Sequence, residues 1–198
     1  MFDISDSTVT PQNLLAGTVA YNAAGNRIVG TYYPPQTFTV SPSVTWNYKD
    51  GVKINTDGSY WNLGRTSGGA DIYYAIAEFD LASVLAGRTI RSVKFYVKCS
   101  GGNSTNCPAG AVISKSDTLA ACEAAGQNPT GTNTLNRNDT TNYLEFDLTG
   151  DAAVLQQTGK SYVLLSQVGT TNSTYKTMYT YTAAASNAPY MVIETGGA

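Results

Sequence analysis

Glu78 and Asp80 stand two residues apart, and Glu145 and Asp147 repeat the spacing. On a β-strand both members of such a pair point to one side, roughly 7 Å apart. That separation suits the acid and base of an inverting glycosidase. The residues between and beyond them, Phe79 with Leu81 and Phe146 with Leu148, are apolar. A strand with one buried face produces this alternation with no catalysis involved, so both pairs are expected on solvated faces. The chain contains no histidine, which removes the base of a Ser-His-Asp triad. Ser114-Lys115-Ser116 offers a dyad by residue type alone. Ser67-Gly68-Gly69-Ala70 lacks the Lys-Ser/Thr ending of a phosphate loop. Cysteine spacing is not C-x-x-C, which argues against zinc. Asp57, Asp71 and Asp139 lie outside any spaced oxygen-ligand motif for calcium. The expectation is therefore no catalytic residue, no metal site, no cofactor and no enzymatic activity.

Aromatic residues offer a different chemistry. Their flat apolar faces stack on the C–H groups of pyranoses, while amides and carboxylates bond the hydroxyls. Fourteen tyrosines outnumber the twelve lysines plus arginines. Trp46, Tyr48, Tyr60 and Trp61 form one group by proximity in sequence. Tyr175, Tyr179 and Tyr181 share one strand parity, with Met178 on the other. The candidate glycan-binding residues are Tyr48, Tyr60, Tyr175, Tyr179 and Tyr181. Trp46 and Trp61 are expected between the sheets, where large aromatics usually sit. An exposed tyrosine row also suits a subunit interface.

Composition narrows the partners. Only 13% of residues are charged and the net charge is −2, so no basic stripe is available for nucleic acid or for an anionic membrane surface. No run of about 18 apolar residues is present to span a bilayer. Met1 is followed by Phe-Asp-Ile-Ser-Asp, with neither the basic nor the apolar region of a secretory signal. Synthesis in the cytoplasm without export is the expectation. Three cysteines, Cys99, Cys107 and Cys122, cannot all pair within one chain. Buried free thiols, a Cys99–Cys107 bridge and a Cys107–Cys122 bridge all stay open.

The elements that must position these residues are short. Thr10-Pro11 has the form of a helix start, Leu14 and Leu15 supply one apolar turn, and Gly17 closes it. Thr18 to Tyr21 and Arg27 to Tyr32 then read as a hairpin. Paired prolines in Tyr33-Pro34-Pro35-Gln36 make a stiff linker. From Thr37 onward, runs of period two recur at roughly ten-residue intervals, with Gly, Asn and Ser between them. In Arg91 to Cys99, Val93, Phe95, Val97 and Cys99 point one way. Asp117 to Ala125 and Asp151 to Thr158 read as short helices stopped by glycine. The expected organisation is an attachment segment over 1–33, a Pro-rich linker over 34–36, and an all-β domain over 37–198. The fold class is an antiparallel β-sandwich, jelly-roll-like, with two short helices, preceded by a small helical turn plus hairpin.

Two resemblances extend this reading. Leu15, Gly17, Ala20, Tyr21, Gly25, Arg27, Ile28, Gly30 and Thr31 match a segment that recurs in structural proteins of tailed bacteriophages. There, Leu-x-Gly-x-x-Ala-Tyr, a turn, and a basic-apolar-x-Gly-Thr ending follow one another. That resemblance implies a virion protein, either a capsid decoration or head fibre or a tail accessory, released by lysis. It also implies capsid or tail proteins as partners, a homotrimer, and an anchor interface at Leu14, Leu15, Tyr21, Ile28 and Tyr32. The second domain resembles the DNRLRE-type β-sandwich of bacterial surface proteins. The match lies in Tyr60-Trp-Asn-Leu-Gly64 with Ala75-Ile-Ala-Glu-Phe-Asp-Leu81, in Ala86 to Val97, and in Phe146-Asp-Leu-Thr, Tyr162 to Leu165 and Ser186 to Ile193. It implies the sandwich fold and adhesion to a cell-surface or mucosal glycan. Glu78 stands where that pattern has arginine, and the matched positions are mainly core, so the likeness bears on fold more than on ligand. The alternative is a free-standing carbohydrate-binding module of a bacterial surface protein.

Overall fold

The structure, a computed structural model, describes residues 8–54, 60–116, 121, 129–155, 159–180 and 182–196. The chain opens on a hydrogen-bonded turn rather than a helical one. Asn13 N–H donates to the Thr10 carbonyl at 3.2 Å, and Asn13 Oδ1 accepts the Thr10 N–H at 2.7 Å. Strands β1 (Val19–Tyr21) and β2 (Arg27–Val29) follow as an antiparallel hairpin. Asn22 Oδ1 forms its turn by accepting the N–H groups of Ala24 and Asn26, an Asx-type closure. Leu15 and Tyr32 form a parallel bridge behind it. Gly30 is buried, and a Cβ there would collide with the carbonyl oxygens of Leu14 and Leu15. Thr31 then ties the return strand to the start of the unit, its N–H and Oγ1 both donating to the Pro11 carbonyl. The glycine and threonine thus fold this segment onto itself.

Thirteen further strands build the sandwich: β3 (Gln36–Val40), β4 (Val44–Lys49), β5 (Val52–Ile54), β6 (Tyr60–Arg65), β7 (Ile72–Asp80), β8 (Thr89–Val97), β9 (Cys99–Gly102), β10 (Cys107–Ser114), β11 (Gly131–Leu135), β12 (Leu144–Asp147), β13 (Lys160–Gln167), β14 (Lys176–Tyr179) and β15 (Tyr190–Gly196). The smaller sheet has the order β12-β8-β15-β3, and the larger runs β11-β10-β13-β7-β6-β14-β9, with β4 pairing β7 and β5. All the pairings between strands are antiparallel. This is the β-sandwich that the alternating runs require.

The period-two faces meet between the sheets. Ala75, Ala77 and Phe79 of β7, with Leu81 after it, face Val93, Phe95 and Val97 of β8, with Trp61, Phe146, Met178 and Ile193 around them. Phe79 and Phe95 meet edge to face, ring centroids 6.1 Å apart. Each such side chain contributes about 1.5–3 kcal/mol by leaving water. Trp61 lies in this core as expected. Trp46 does not: it is half-buried against Tyr162 on the opposite face of the larger sheet, with Lys53 Nζ 3.9 Å from its ring centre. The odd–even register of β4 decides this, because Thr45 and Asn47 take the inward positions. Asn47 is fully buried there, and its amide joins β6 to β7 through Asn62 and the Tyr74 carbonyl.

Helical content departs from expectation in detail. The stretch expected at Asp151 to Thr158 is a 3-10 helix over Thr149–Val154, and residues 156–158 lie outside the described residues. The helix expected at Asp117 to Ala125 lies outside them too, save Ala121. A single unforeseen α-turn, α1 (Ala82–Leu85), buries Leu85. Just beyond it, Arg88 packs its guanidinium 4.9 Å from the Tyr33 ring centre and 5.2 Å from that of Phe38, so the linker rests on the sandwich.

Candidate functional site

β6 and β14 pair with Tyr60 opposite Tyr179, Trp61 opposite Met178, Asn62 opposite Thr177 and Leu63 opposite Lys176. Trp61, Leu63, Lys176 and Met178 are fully buried. Alternation therefore puts Tyr60, Asn62, Tyr175, Thr177 and Tyr179 together on the outer face. β9 extends that face on the far side of β14, where Ser100 Oγ donates to Thr177 Oγ1 at 3.0 Å.

The tyrosines occupy the two ends. Tyr60, half exposed at 50%, lies against Tyr179 with ring centroids 5.4 Å apart and planes tilted by 44°. At the other end Tyr175 meets Tyr73 edge on, also at 5.4 Å. Tyr175 Oη donates to Asn62 Oδ1 at 2.7 Å, which fixes the amide and leaves Asn62 Nδ2 without a partner among the described residues. Partial burial raises the Tyr175 phenol above its ordinary value, so it remains a neutral donor. Lys49 reaches the Tyr73 ring but is paired with Asp71 at 2.9 Å. Aromatic faces flanking an amide and two hydroxyls, with no charge among them, can stack on and hydrogen-bond a neutral polyhydroxylated ligand.

One of the expected glycan residues, Tyr48, is not on this face. Tyr48 is 5% exposed and stacks on Tyr74, centroids 4.7 Å apart, within a cluster containing Ile76, Val112 and Leu164. It sits one residue out of phase with Asn47 and is spent on packing. Tyr181 lies outside the described residues. Asn62, Thr177, Ser100 and Tyr73 were missed. Only the pairing of β14 with β6 and β9, far apart in sequence, brings the first three together, and β7 beside β6 adds Tyr73.

A second aromatic group occupies the outer face of the smaller sheet. Tyr96 and Tyr190 stack at 4.8 Å, and Tyr143 packs edge on against Tyr190. Tyr96 Oη donates to Glu145 Oε2 at 2.7 Å, and Lys94 pairs with Glu145 Oε1 at 2.9 Å. Burial and this hydrogen bond push the Tyr96 phenol up to about 12, while Tyr96 and Lys94 hold the Glu145 carboxyl below its ordinary value. These rings cover one another, and the Tyr96 and Tyr143 hydroxyls donate to Glu145 and to the Ala188 carbonyl.

The carboxylate pairs are engaged separately. Glu78 is buried and accepts from Ser43 Oγ at 2.8 Å and from Lys160 Nζ at 2.5 Å. Asp80 is exposed and accepts the Ala82 N–H. Asp147 accepts the Thr149 N–H at 2.9 Å, which helps hold its carboxyl low. A shallow depression lined by Pro108, Ala109, Thr132, Asn133, Thr134 and Val168 holds no titratable side chain. Among the described residues no group of His, Cys, Asp or Glu is arranged to hold a metal ion.

In the N-terminal unit the expected anchor residues divide. Leu15 and Tyr21 are exposed at 53% and 57%, whereas Leu14, Ile28 and Tyr32 are half-buried within the unit. Val19 and Val29, paired across the hairpin, are exposed beside Tyr21. Period two within these three-residue strands accounts for their exposure.

The fold and these surfaces define a β-sandwich protein with one open tyrosine face. No family model matches the chain, and no curated protein matches it. Among solved structures it is similar to the native structure of a family 35 carbohydrate binding module from Clostridium thermocellum, at 8% identity and a TM-score of 0.33, over 80% of this chain and 97% of that one. It is also similar to an exo-beta-1,3-galactanase from Phanerochaete chrysosporium solved with galactose, at 11% identity and a TM-score of 0.26, over 88% of this chain and 32% of that one. This chain thus spans about a third of the galactanase's length. Likenesses this distant carry no argument, and the fold rests on the strand pairing itself.

Proposed function

We propose that this is a non-enzymatic virion structural protein, a capsid decoration or tail accessory, held by residues 1–33 and displaying a sandwich that adheres to surface glycans. One observation carries the attachment half: a hairpin paired with no other strand among the described residues exposes Leu15, Val19, Tyr21 and Val29 on a unit too small to bury them. Exposed apolar side chains grouped in this way mark a surface meant for a partner. The phage-like residue pattern supplies the kind of partner, a neighbouring capsid or tail protein, and a trimeric arrangement would add avidity to weak glycan contacts. The tyrosine face carries the adhesive half.

The test is incorporation. In phage carrying the full chain with Val19→Asp and Val29→Asp, purified particles are expected to lack the polypeptide, while the soluble variant keeps the wild-type far-ultraviolet spectrum. Absence of the wild-type chain from purified particles, or undiminished incorporation of the variant, would overturn the proposal.

A further inference from the structure

The geometry points to a ligand longer than one sugar: an internal stretch of an extended, neutral polysaccharide lying along β14. This inference rests on the glycan reading above and narrows it to a ligand class. Tyr175 and Tyr179 are four residues apart on one strand, which separates their backbone positions by roughly 13 Å. Each marks an aromatic station, Tyr73 with Tyr175 at one end and Tyr60 with Tyr179 at the other. No monosaccharide reaches both. Between the stations lie Asn62, whose Nδ2 has no partner among the described residues, and the Ser100–Thr177 hydroxyl pair. The face therefore alternates stacking, hydrogen bonding and stacking along one line, as successive rings of a chain would require.

One end of the face is open, where Tyr60 is half exposed, and Asn62, Ser100 and Thr177 along the line between the stations are only partly buried. Among the described residues nothing at the stations is placed to recognise a chain terminus, so an internal segment fits the face. Charge decides against an anionic polymer. The six face residues, Tyr60, Asn62, Ser100, Tyr175, Thr177 and Tyr179, carry no ionic group, and the cation at the Tyr73 edge is neutralised by Asp71. Binding should accordingly be insensitive to salt, since screening weakens only contacts between charges.

The experiment is calorimetric titration of the full chain with glucose, galactose, mannose and xylose and with the hexasaccharides of cellulose, laminarin, β-1,4-mannan, β-1,4-galactan and xylan. Alginate and heparin serve as anionic probes. At least one neutral hexasaccharide is expected to bind about tenfold or more tightly than its monosaccharide. That affinity should be unchanged between about 50 and 500 mM salt. Tyr60→Ala with Tyr179→Ala, both on the surface, should weaken it about tenfold, while Tyr96→Ala with Tyr190→Ala should not. Equal affinity for monomer and hexamer, preference for alginate or heparin, or loss of binding only in the Tyr96/Tyr190 variant would overturn the inference and leave glycan binding standing. No binding to any probe, with the wild-type fold intact, would overturn the inference and the glycan reading together.

Discussion

Lys176 carries an amine into a site with no access to water. Burial lowers its pKa, yet the group is well supplied with acceptors. Nζ donates to the Asn103 carbonyl at 3.0 Å, to Asn103 Oδ1 at 2.8 Å and to the Thr105 carbonyl. Asn103 Nδ2 in turn donates to the Ser173 carbonyl. One side chain thereby closes the loop between β9 and β10 onto the approach to β14. Lys176→Met preserves the stem but leaves buried carbonyls unmatched, so urea denaturation should report a loss of about 1–3 kcal/mol. A change within error would show that those oxygens regain partners without the lysine.

Cys99 and Cys107 are neighbours of that amine and are free, buried thiols, which removes the Cys99–Cys107 bridge from the alternatives. Burial pushes each from an ordinary value of 9.0 to about 11. A raised thiol pKa stabilises the fold fully below pH 9, and that contribution is lost as pH rises through 11. Lys176 titrates with the opposite sign, so melting curves would mix the two effects, whereas labelling separates them. At pH 8, iodoacetamide should modify both thiols at least about a hundredfold more slowly in the native chain than in urea. Peptide mapping checks this, and comparable rates would mean the thiols are accessible.

At the scale of elements, the N-terminal unit depends on close backbone approach. Gly17 N–H donates to the Gly30 carbonyl, Gly30 N–H donates to the Thr18 carbonyl, and Tyr32 N–H donates to the Leu14 carbonyl. Gly30→Ala forces a Cβ into this junction. The expected outcome is rapid proteolysis within residues 1–33 and loss of particle incorporation, with thermal unfolding of the sandwich unchanged. A shift in that unfolding would show that the two parts share more than the Arg88 contact.

Most strands were legible because one-sided burial writes itself as period two. Val93, Phe95 and Val97 are core, as their spacing requires, and so is Met178. The tyrosines at 175 and 179 follow from the same parity. What escaped was set by neighbours distant in sequence. Whether Trp46 or Asn47 faces inward depends on pairing of β4 with β7, and the amide at Asn62 gains meaning only when Tyr175 arrives beside it. The α-turn at Ala82–Leu85 follows an apolar cap residue, Leu81, which offers no side-chain cap; only Asp80, accepting the Ala82 N–H, marks its start.

For the whole molecule, the order of strands has a consequence for synthesis. Among the described residues β3, the first strand of the sandwich, pairs only with β15, the last, with Gln36 opposite Thr195 and Val40 opposite Met191. β15 also separates β3 from β8. The smaller sheet is therefore incomplete until residues 190–196 have been synthesised. Contacts of such long range close slowly. The hairpin at residues 19–29, by contrast, has all its strand pairing within its own length among the described residues and needs no later part of the sequence to form. The hairpin can pair first, and the smaller sheet closes last.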